Sequence, residues 1–399
     1  MKRYDKAKLP RILWGNGQSA RAGSVVKEFG VTKALVVTGP HVRQLDCFKD
    51  IVKTLDDNGI SYEIYDKTVN NPPDYACLEL GEVIKSGKYD GVLAIGGGSV
   101  MDSAKAGALL AGIPEKIETD EFHAYRRGGP QARSDWKRPY PLITVVTTSG
   151  TSAEATGSAV VTSTKLGLKF SFGNEAIIPD VAIIDPVLTL GAPHLVTANT
   201  GLDALAHAVE DIVGCAANEY SNPILLACVE RVWKWLPIAL EEPNDLEARE
   251  QLSWAAHNAL TNAGIPNGHA VAHAISGLYH LVHGHACALV LPTVIRHHAE
   301  TSQKEIADIA NVIGVPVTGD ARLDADRVAK ALVKFYKATG LPNLKDAMKE
   351  AGYDDDRETF IRKMIPFVLD DYKSTTWNPP IHESEEACGA ICGQVYDEE

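Results

Sequence analysis

The strongest constraint on this chain is a change of period part-way along it. The first half carries short apolar, β-branched runs: 34-ALVVT-38, 61-SYEIYD-66, 91-GVLAI-95 and 142-LITVVTT-148, with 158-SAVVTS-163 and 180-DVAIIDP-186 closing the series. Between the first two, Val52, Leu55 and their polar neighbours form an amphipathic helical pattern, and 77-CLELGEVIKSG-87 reads as a second helix stopped by glycine. Strands alternating with helices imply an α/β fold with a parallel sheet. From about residue 187 the period lengthens, as in 202-LDALAHAVEDIVG-214, 223-PILLACVERVWKWLPIAL-240 and 326-DRVAKALVKFYKATG-340. The expected organisation is an α/β domain over 1–187 and an all-helical domain over 188–399, packed together with a cleft between them. The polar stretch 114–139, broken by glycine and proline, reads as a loop.

Charge and thiols narrow the function classes. With 52 acidic against 39 basic residues the net charge is −13, which disfavours nucleic acid and anionic membrane surfaces as partners. The opening MKRYDKAKLPRILWGNG lacks the apolar core of a signal peptide, and no run of about 18 apolar residues occurs, so a cytoplasmic protein is expected. Cys47, Cys77, Cys215, Cys228, Cys287, Cys388 and Cys392 are scattered without CxxC spacing, as reduced thiols would be. Cys388 and Cys392, four apart, can share one helical face.

Two stretches suit a dinucleotide. In 91-GVLAIGGGSVMDSAK-105 an apolar strand, Gly96, Gly97 and Gly98, and a helical pattern follow one another, which aims backbone N–H groups at a phosphate. The run departs from GxGxxG at Met101, and its glycines could equally join strand to helix with Ser99 or Asp102 as cap. The second, 147-TTSGTSAEATGS-158, follows another strand and offers many hydroxyl and backbone donors, or else starts a helix capped by Thr151 or Ser152.

The helical half suits a metal. Asp203 and His207 lie one helical turn apart, as do His269 and His273, so each pair can face one ion. Seven of the thirteen histidines (His269, His273, His280, His283, His285, His297 and His298) fall within thirty residues, and imidazole is the commonest transition-metal ligand. One aspartate with three histidines, without thiolate, suits Fe(II), Mn(II), Co(II) or Zn(II) and leaves a position open for substrate. Spacing leaves open which three histidines bind. His297 and His298 read as surface or supporting residues at a helix start, and His285 as a residue that could line the pocket.

The stretches 96-GGGSVMDSAK-105, 147-TTSGTSAEAT-156, 184-IDPVLTLGAPHLVTANTGLDALAHAVE-210 and 269-HAVAHAISGLYHLVHGHACALVLP-292 resemble, in order, motifs of the iron-containing (group III) alcohol dehydrogenase family. The resemblance runs over nearly the whole chain. It implies a Rossmann-like N-terminal domain and an all-helical C-terminal domain, with Asp203, His207, His269 and His283 as metal ligands and His273 as a proton-transfer residue. It further implies dinucleotide contacts from Asn71, Gly97, Gly98, Ser99, Thr147, Thr148 and Lys169. Two places depart from the pattern. Gly39 stands where many members carry an aspartate that holds the adenosine ribose, which leaves NAD against NADP open. Val282 and Cys287 replace the proline and asparagine common around the last ligand, which implies a changed substrate pocket.

A metal with an open position beside a nicotinamide suits reversible hydride transfer with a small aldehyde or primary alcohol. Arg126, Arg127, Arg133, Lys137 and Arg138 concentrate positive charge that could steer an anionic aldehyde, such as sulfoacetaldehyde or phosphonoacetaldehyde, or hold an NADP 2′-phosphate. A homo-oligomer, dimeric or larger, is expected. Two other functions fit less of the pattern. A dehydroquinate synthase-type cyclase or lyase shares the architecture but not the HxxxH of 269–273, and a non-catalytic dinucleotide-binding protein has no need of all four ligands.

Overall fold

The computed structural model describes residues 8–214, 217–260, 267–375 and 384–398; Cys215 lies outside them. The chain divides into two compact units, one running through Ala192 and the other from Pro193. In the first, strands β1 (Arg11–Trp14), β2 (Lys33–Thr38), β3 (Ser61–Tyr65), β4 (Gly91–Gly96) and β5 (Leu142–Val146) alternate with helices α1 (Ala22–Glu28), α2 (Asp46–Asp57), α3 (Asp74–Lys85) and α4 (Gly98–Leu110). A hairpin of β6 (Ala159–Ser163) and β7 (Leu168–Phe172) precedes β8 (Val181–Ile184).

The main sheet is parallel with order β1-β8-β5-β4-β2-β3. Successive side chains of a strand point to opposite faces, and here both faces are covered. Val36, Leu93, Ile95, Ile143 and Val145 pack with Val26, Phe48, Ile51 and Leu55 of α1 and α2. Leu35, Val37, Val92 and Ala94 pack with Leu80 and Ile84 of α3 and with Met101 and Ala104 of α4. Burial on both faces is why these strands read as continuous apolar runs. Gly96 and Val146 are register partners, so the segments that follow them leave the carboxyl edge of the sheet side by side. Ligands of open α/β sheets bind at that edge.

Two local features differ from the sequence expectation, and a third adds detail to it. The 158–163 run forms β6, which pairs antiparallel with β7 and stays out of the parallel sheet. Gly167, at φ 68°, makes the intervening turn, and its signal was the only local one for the hairpin. β1 is four residues long with a single buried side chain, too short to show a period. The 114–139 segment is an anchored loop. Its 3-10 turn Thr119–Tyr125 buries Phe122 edge-on against Phe170 and Phe172, Trp136 is buried nearby, and Arg138 donates to Asp180 and to the Tyr140 and Ile178 carbonyls.

The second unit contains α5 (His194–Val213), α6 (Asn222–Glu241), α7 (Leu246–Asn258), α8 (Asn267–Tyr279), α9 (His283–His297), α10 (Gln303–Val312), α11 (Ala321–Ala338), α12 (Leu344–Glu350), α13 (Arg357–Thr375) and α14 (Glu385–Asp397). Asp245, Asp320, Asn343 and Ser384 cap α7, α11, α12 and α14, each accepting from a first-turn N–H. α5 is buried without interruption from Gly201 to Val213, and α9 from Gly284 to Ile295. Polar residues on these two helices therefore sit inside the core. Cys388 and Cys392 are buried on α14, and no disulfide joins cysteines among the described residues. No described helix is long and apolar enough to cross a membrane.

Helix α1 lies so close to α2 that a Cβ on Gly23 would stand 1.9 Å from the Thr54 carbonyl oxygen, while the Gly23 N–H donates to Thr54 Oγ1 at 2.8 Å. Gly23→Ala should lower unfolding stability by about 1–3 kcal/mol, the usual cost of overpacking. A urea midpoint equal to that of the parent would contradict this contact.

Candidate functional site

Three helices converge on one carboxylate. α5 contributes Asp203 and, one turn on, His207; α8 contributes His269 and His273; α9 begins at His283 and carries Cys287. Asp203 is 2% exposed, and its Oδ1 makes no hydrogen bond. Around that oxygen stand His283 Nε2 at 3.5 Å, His269 Nε2 at 3.7 Å and His207 Nδ1 at 3.8 Å. These distances exceed hydrogen-bond reach but suit several ligands turned to one cation. Asp203, His269, His283 and Cys287 form such a group, one ligand atom of each lying within 4.8 Å of the others. The His207 ring stacks on His269 with centroids 4.3 Å apart. A buried carboxylate oxygen without a donor, faced by imidazole nitrogens, fits a divalent ion.

The electrostatics agree. Burial alone would push the Asp203 carboxyl up, yet His207, His283 and His269 hold it well below the usual carboxylate range. Burial works against charge on His269, but Cys287, Glu210 and Asp203 together raise its pKa well above the ordinary value. The surroundings thus call for positive charge. The Cys287 thiol is pushed up to about 12 by burial, with His269 opposing.

Two positioning residues went unread in the sequence. Glu210, fully buried, takes His269 Nδ1 at 2.8 Å on one oxygen and the His269 backbone N–H at 3.2 Å on the other, leaving Nε2 to face Asp203. Its spacing from Asp203 and His207 along one helix face was the available signal. Asp371 lies 2.6 Å from His273 Nδ1, 98 positions away in the chain, and nothing local announces that pairing. Gly284 lets the start of α9 press on α5, since a Cβ there would be 1.9 Å from the Asn199 carbonyl oxygen.

The rest of the histidine cluster does other work. His285 bonds the Pro342 carbonyl at 2.8 Å, so it serves the core. His297 and His298 end α9 rather than start a helix, and burial pulls His298 down to about 4. Helix α9 is buried without interruption from Gly284 to Ile295, so no polar face marks it in the sequence.

In the α/β unit the glycine loop and the hydroxyl loop meet. α4 begins at Gly98 behind an extended Gly97, and no side chain caps it, so neither Ser99 nor Asp102 fills that role. A Cβ on Gly97 would lie 2.9 Å from Thr148 Oγ1, and one on Gly98 would lie 2.6 Å from Thr151 Cγ2. Ser99 Oγ accepts from the Asn71 N–H at 3.3 Å, with Asn71 at φ 52°, and the Thr147 N–H donates to the Gly96 carbonyl at 3.0 Å. The structure therefore gathers Asn71, Gly97, Gly98, Ser99, Thr147 and Thr148. The uncapped N–H groups at the start of α4, reached past two residues without side chains, suit a pyrophosphate. Lys169, buried on β7, acts on Asp102 by its charge.

Segment 153–155 is a 3-10 turn, not a helix start, and it is pinned by a residue that sequence reasoning passed over. Lys105 of α4, fully buried, donates to the Ala153 carbonyl at 2.7 Å, to Thr156 Oγ1 at 3.1 Å and to the Ser158 carbonyl. Beside it, burial pushes Asp102 up to about 6 against the pull of Lys105. The basic loop is not a charge reservoir throughout. Arg133 pairs with Asp135 and Glu115, and Arg138 with Asp180.

Residues 10–186 match the family model for iron-containing alcohol dehydrogenases, and residues 197–376 match that for the C-terminal domain of the same family. The chain belongs to the iron-containing alcohol dehydrogenase family, a family of metal- and NAD-linked oxidoreductases. It is 33% identical to a 1,3-propanediol dehydrogenase of Klebsiella pneumoniae over 86% of this chain and 89% of that one. It is 30% identical to the NAD-dependent methanol dehydrogenase of Bacillus methanolicus over 84% and 86% of the two chains. The solved alcohol dehydrogenase of Oenococcus oeni is similar over 99% of this chain and all of that one, with a TM-score of 0.87 and 26% identity.

Glu210→Gln keeps the shape at His269 but removes the carboxylate that orients it. Metal affinity, read by competition with a chromogenic chelator, should fall roughly 10–100-fold. Unchanged affinity would show that Glu210 does not orient a ligand.

Proposed function

We propose that this chain catalyses reversible, metal-assisted hydride transfer between a nicotinamide dinucleotide and a small aldehyde or primary alcohol, acting mainly as an aldehyde reductase. The observation that carries this is the buried Asp203 Oδ1, without a hydrogen bond and faced by imidazoles from α5, α8 and α9. Asp203, His207, His269 and His283 would hold the ion. When bound, a divalent ion supplies Lewis acidity toward a carbonyl or alkoxide oxygen, and the nicotinamide supplies the hydride. Fe(II) is the ion of the family, and the same donors take Zn(II), Mn(II) or Co(II).

The remaining roles belong to side chains and backbone. Glu210 keeps His269 Nε2 turned to the ion. His273, oriented by Asp371 at 2.6 Å, carries the proton between the alcohol oxygen and solvent. Gly97 and Gly98 admit the pyrophosphate, Ser99, Thr147 and Thr148 offer donors, Asn71 and Lys169 flank them, and Lys105 holds the hydroxyl loop in place. The relatives named for methanol and 1,3-propanediol support a short primary alcohol or its aldehyde. An anionic aldehyde gains less support, because Arg133 and Arg138 are committed to carboxylates.

Depletion of NADH and of NADPH with a panel of neutral and anionic short aldehydes tests this on Fe(II)-reconstituted anaerobic protein. Turnover that a chelator abolishes and Fe(II) restores is expected. A protein that binds metal and dinucleotide yet turns over no aldehyde would overturn the proposal and favour the cyclase or the non-catalytic function.

At Gly39 no carboxylate stands to reject a 2′-phosphate, and NADP is accepted alongside NAD. A Cβ at this position meets Thr68 Oγ1 at 3.5 Å and Val100 Cγ2 at 3.7 Å, ordinary contacts, so a side chain fits. Gly39→Asp should therefore reduce kcat/KM for NADPH relative to NADH by roughly tenfold or more through like-charge repulsion. Equal ratios in both proteins would remove Gly39 from the selection of cofactor.

A further inference from the structure

We infer that Cys287 is itself a ligand of the metal, so that the site is a mixed carboxylate, imidazole and thiolate centre selective for Zn(II) or Co(II). This rests on Asp203, His269 and His283 forming the metal centre, and it adds a donor that the Asp-and-His pattern lacks. Cys287 is fully buried on α9, one turn beyond His283, and its Sγ lies 3.6 Å from His269 Nε2 and 3.6 Å from His283 Nε2. Those same two nitrogens stand 3.7 and 3.5 Å from Asp203 Oδ1, the buried oxygen without a hydrogen bond. Bonds of about 2.0–2.2 Å to nitrogen and oxygen and about 2.3 Å to sulfur, arranged as a tetrahedron, put ligand atoms roughly 3.3–3.6 Å apart. Those four spacings, 3.5–3.7 Å, are close to the edges of that tetrahedron, and the four ligand atoms all lie within 4.8 Å of one another.

Coordination needs no redox partner. The Sγ–H bond breaks, its proton leaves to solvent, and the sulfur lone pair forms the bond to the ion. Thiolate is the softest donor of the set, which moves preference from Fe(II) and Mn(II) toward Zn(II) and Co(II). His207, stacked on His269, lies beside this group.

The test uses the full chain, stripped of metal and loaded anaerobically with one equivalent of Co(II), as parent, Cys287→Ser, Cys287→Asn and Asp203→Ala. The parent should show the near-ultraviolet thiolate-to-Co(II) charge-transfer band. Both Cys287 variants should retain one Co(II) per chain by elemental analysis and lose the band. X-ray absorption of the Zn(II)-loaded parent, which needs no variant, should show one sulfur neighbour at about 2.3 Å. A parent that binds one ion through Asp203 with no sulfur neighbour, or a band that survives in Cys287→Ser, overturns the thiolate ligand and leaves the metal centre standing. A parent whose Co(II) content equals that of Asp203→Ala overturns both.

Discussion

A carboxylate held inside a helix that is buried on every side is the constraint around which the helical unit is organised. Burying an ionised group without compensation costs several kcal/mol even after relaxation, on the order of the whole stability of a domain. Asp203 meets this by drawing imidazoles from its own helix, from α8 and from α9. Those helices must come close for the nitrogens to reach it. Gly284 allows that approach by leaving no Cβ between α9 and the Asn199 carbonyl. Glu210 then stabilises charge on His269 and sets which nitrogen faces inward, and Asp371 orients the His273 ring. Packing and electrostatics are one problem here: the apolar residues of α5 and α9 create the low-dielectric interior that makes an ion worth binding.

The α/β unit solves a different problem with backbone. Its parallel sheet brings Gly96 and Val146 into register, so two loops leave one edge together. The glycines of the first loop stay bare because the threonines of the second occupy the space a side chain would need. Lys105 fixes the second loop through carbonyl oxygens, and its burial is offset by those bonds and by Asp102. The result is a set of N–H donors held in place by contacts that lie outside the loop itself.

Much of this was legible along the chain. The strands were visible because each is short, β-branched and buried on both faces, and the helices because their apolar period is long. Asp203 with His207, and His269 with His273, declared themselves by one-turn spacing. What stayed hidden was whatever depends on a partner far away in sequence or on a very short element. β1 has too few residues for a period, and β6 and β7 differ from parallel strands only in what they pair with. Seven clustered histidines look alike in sequence, yet His269, His273 and His283 gather at one place while His285 and His298 serve the core.

By itself, then, the sequence determined the two fold classes, the glycine and hydroxyl loops after their strands, and the acid-and-histidine chemistry of a metal site, because periodicity and spacing are local and survive without a fold. Only the tertiary structure decided which histidines meet Asp203, that Glu210 and Asp371 orient them, that Lys105 anchors a loop, and that the Cys287 sulfur stands beside His269 and His283. Those facts depend on angstrom-scale approach between helices and strands distant along the chain, and such approach is set by packing that no local pattern encodes.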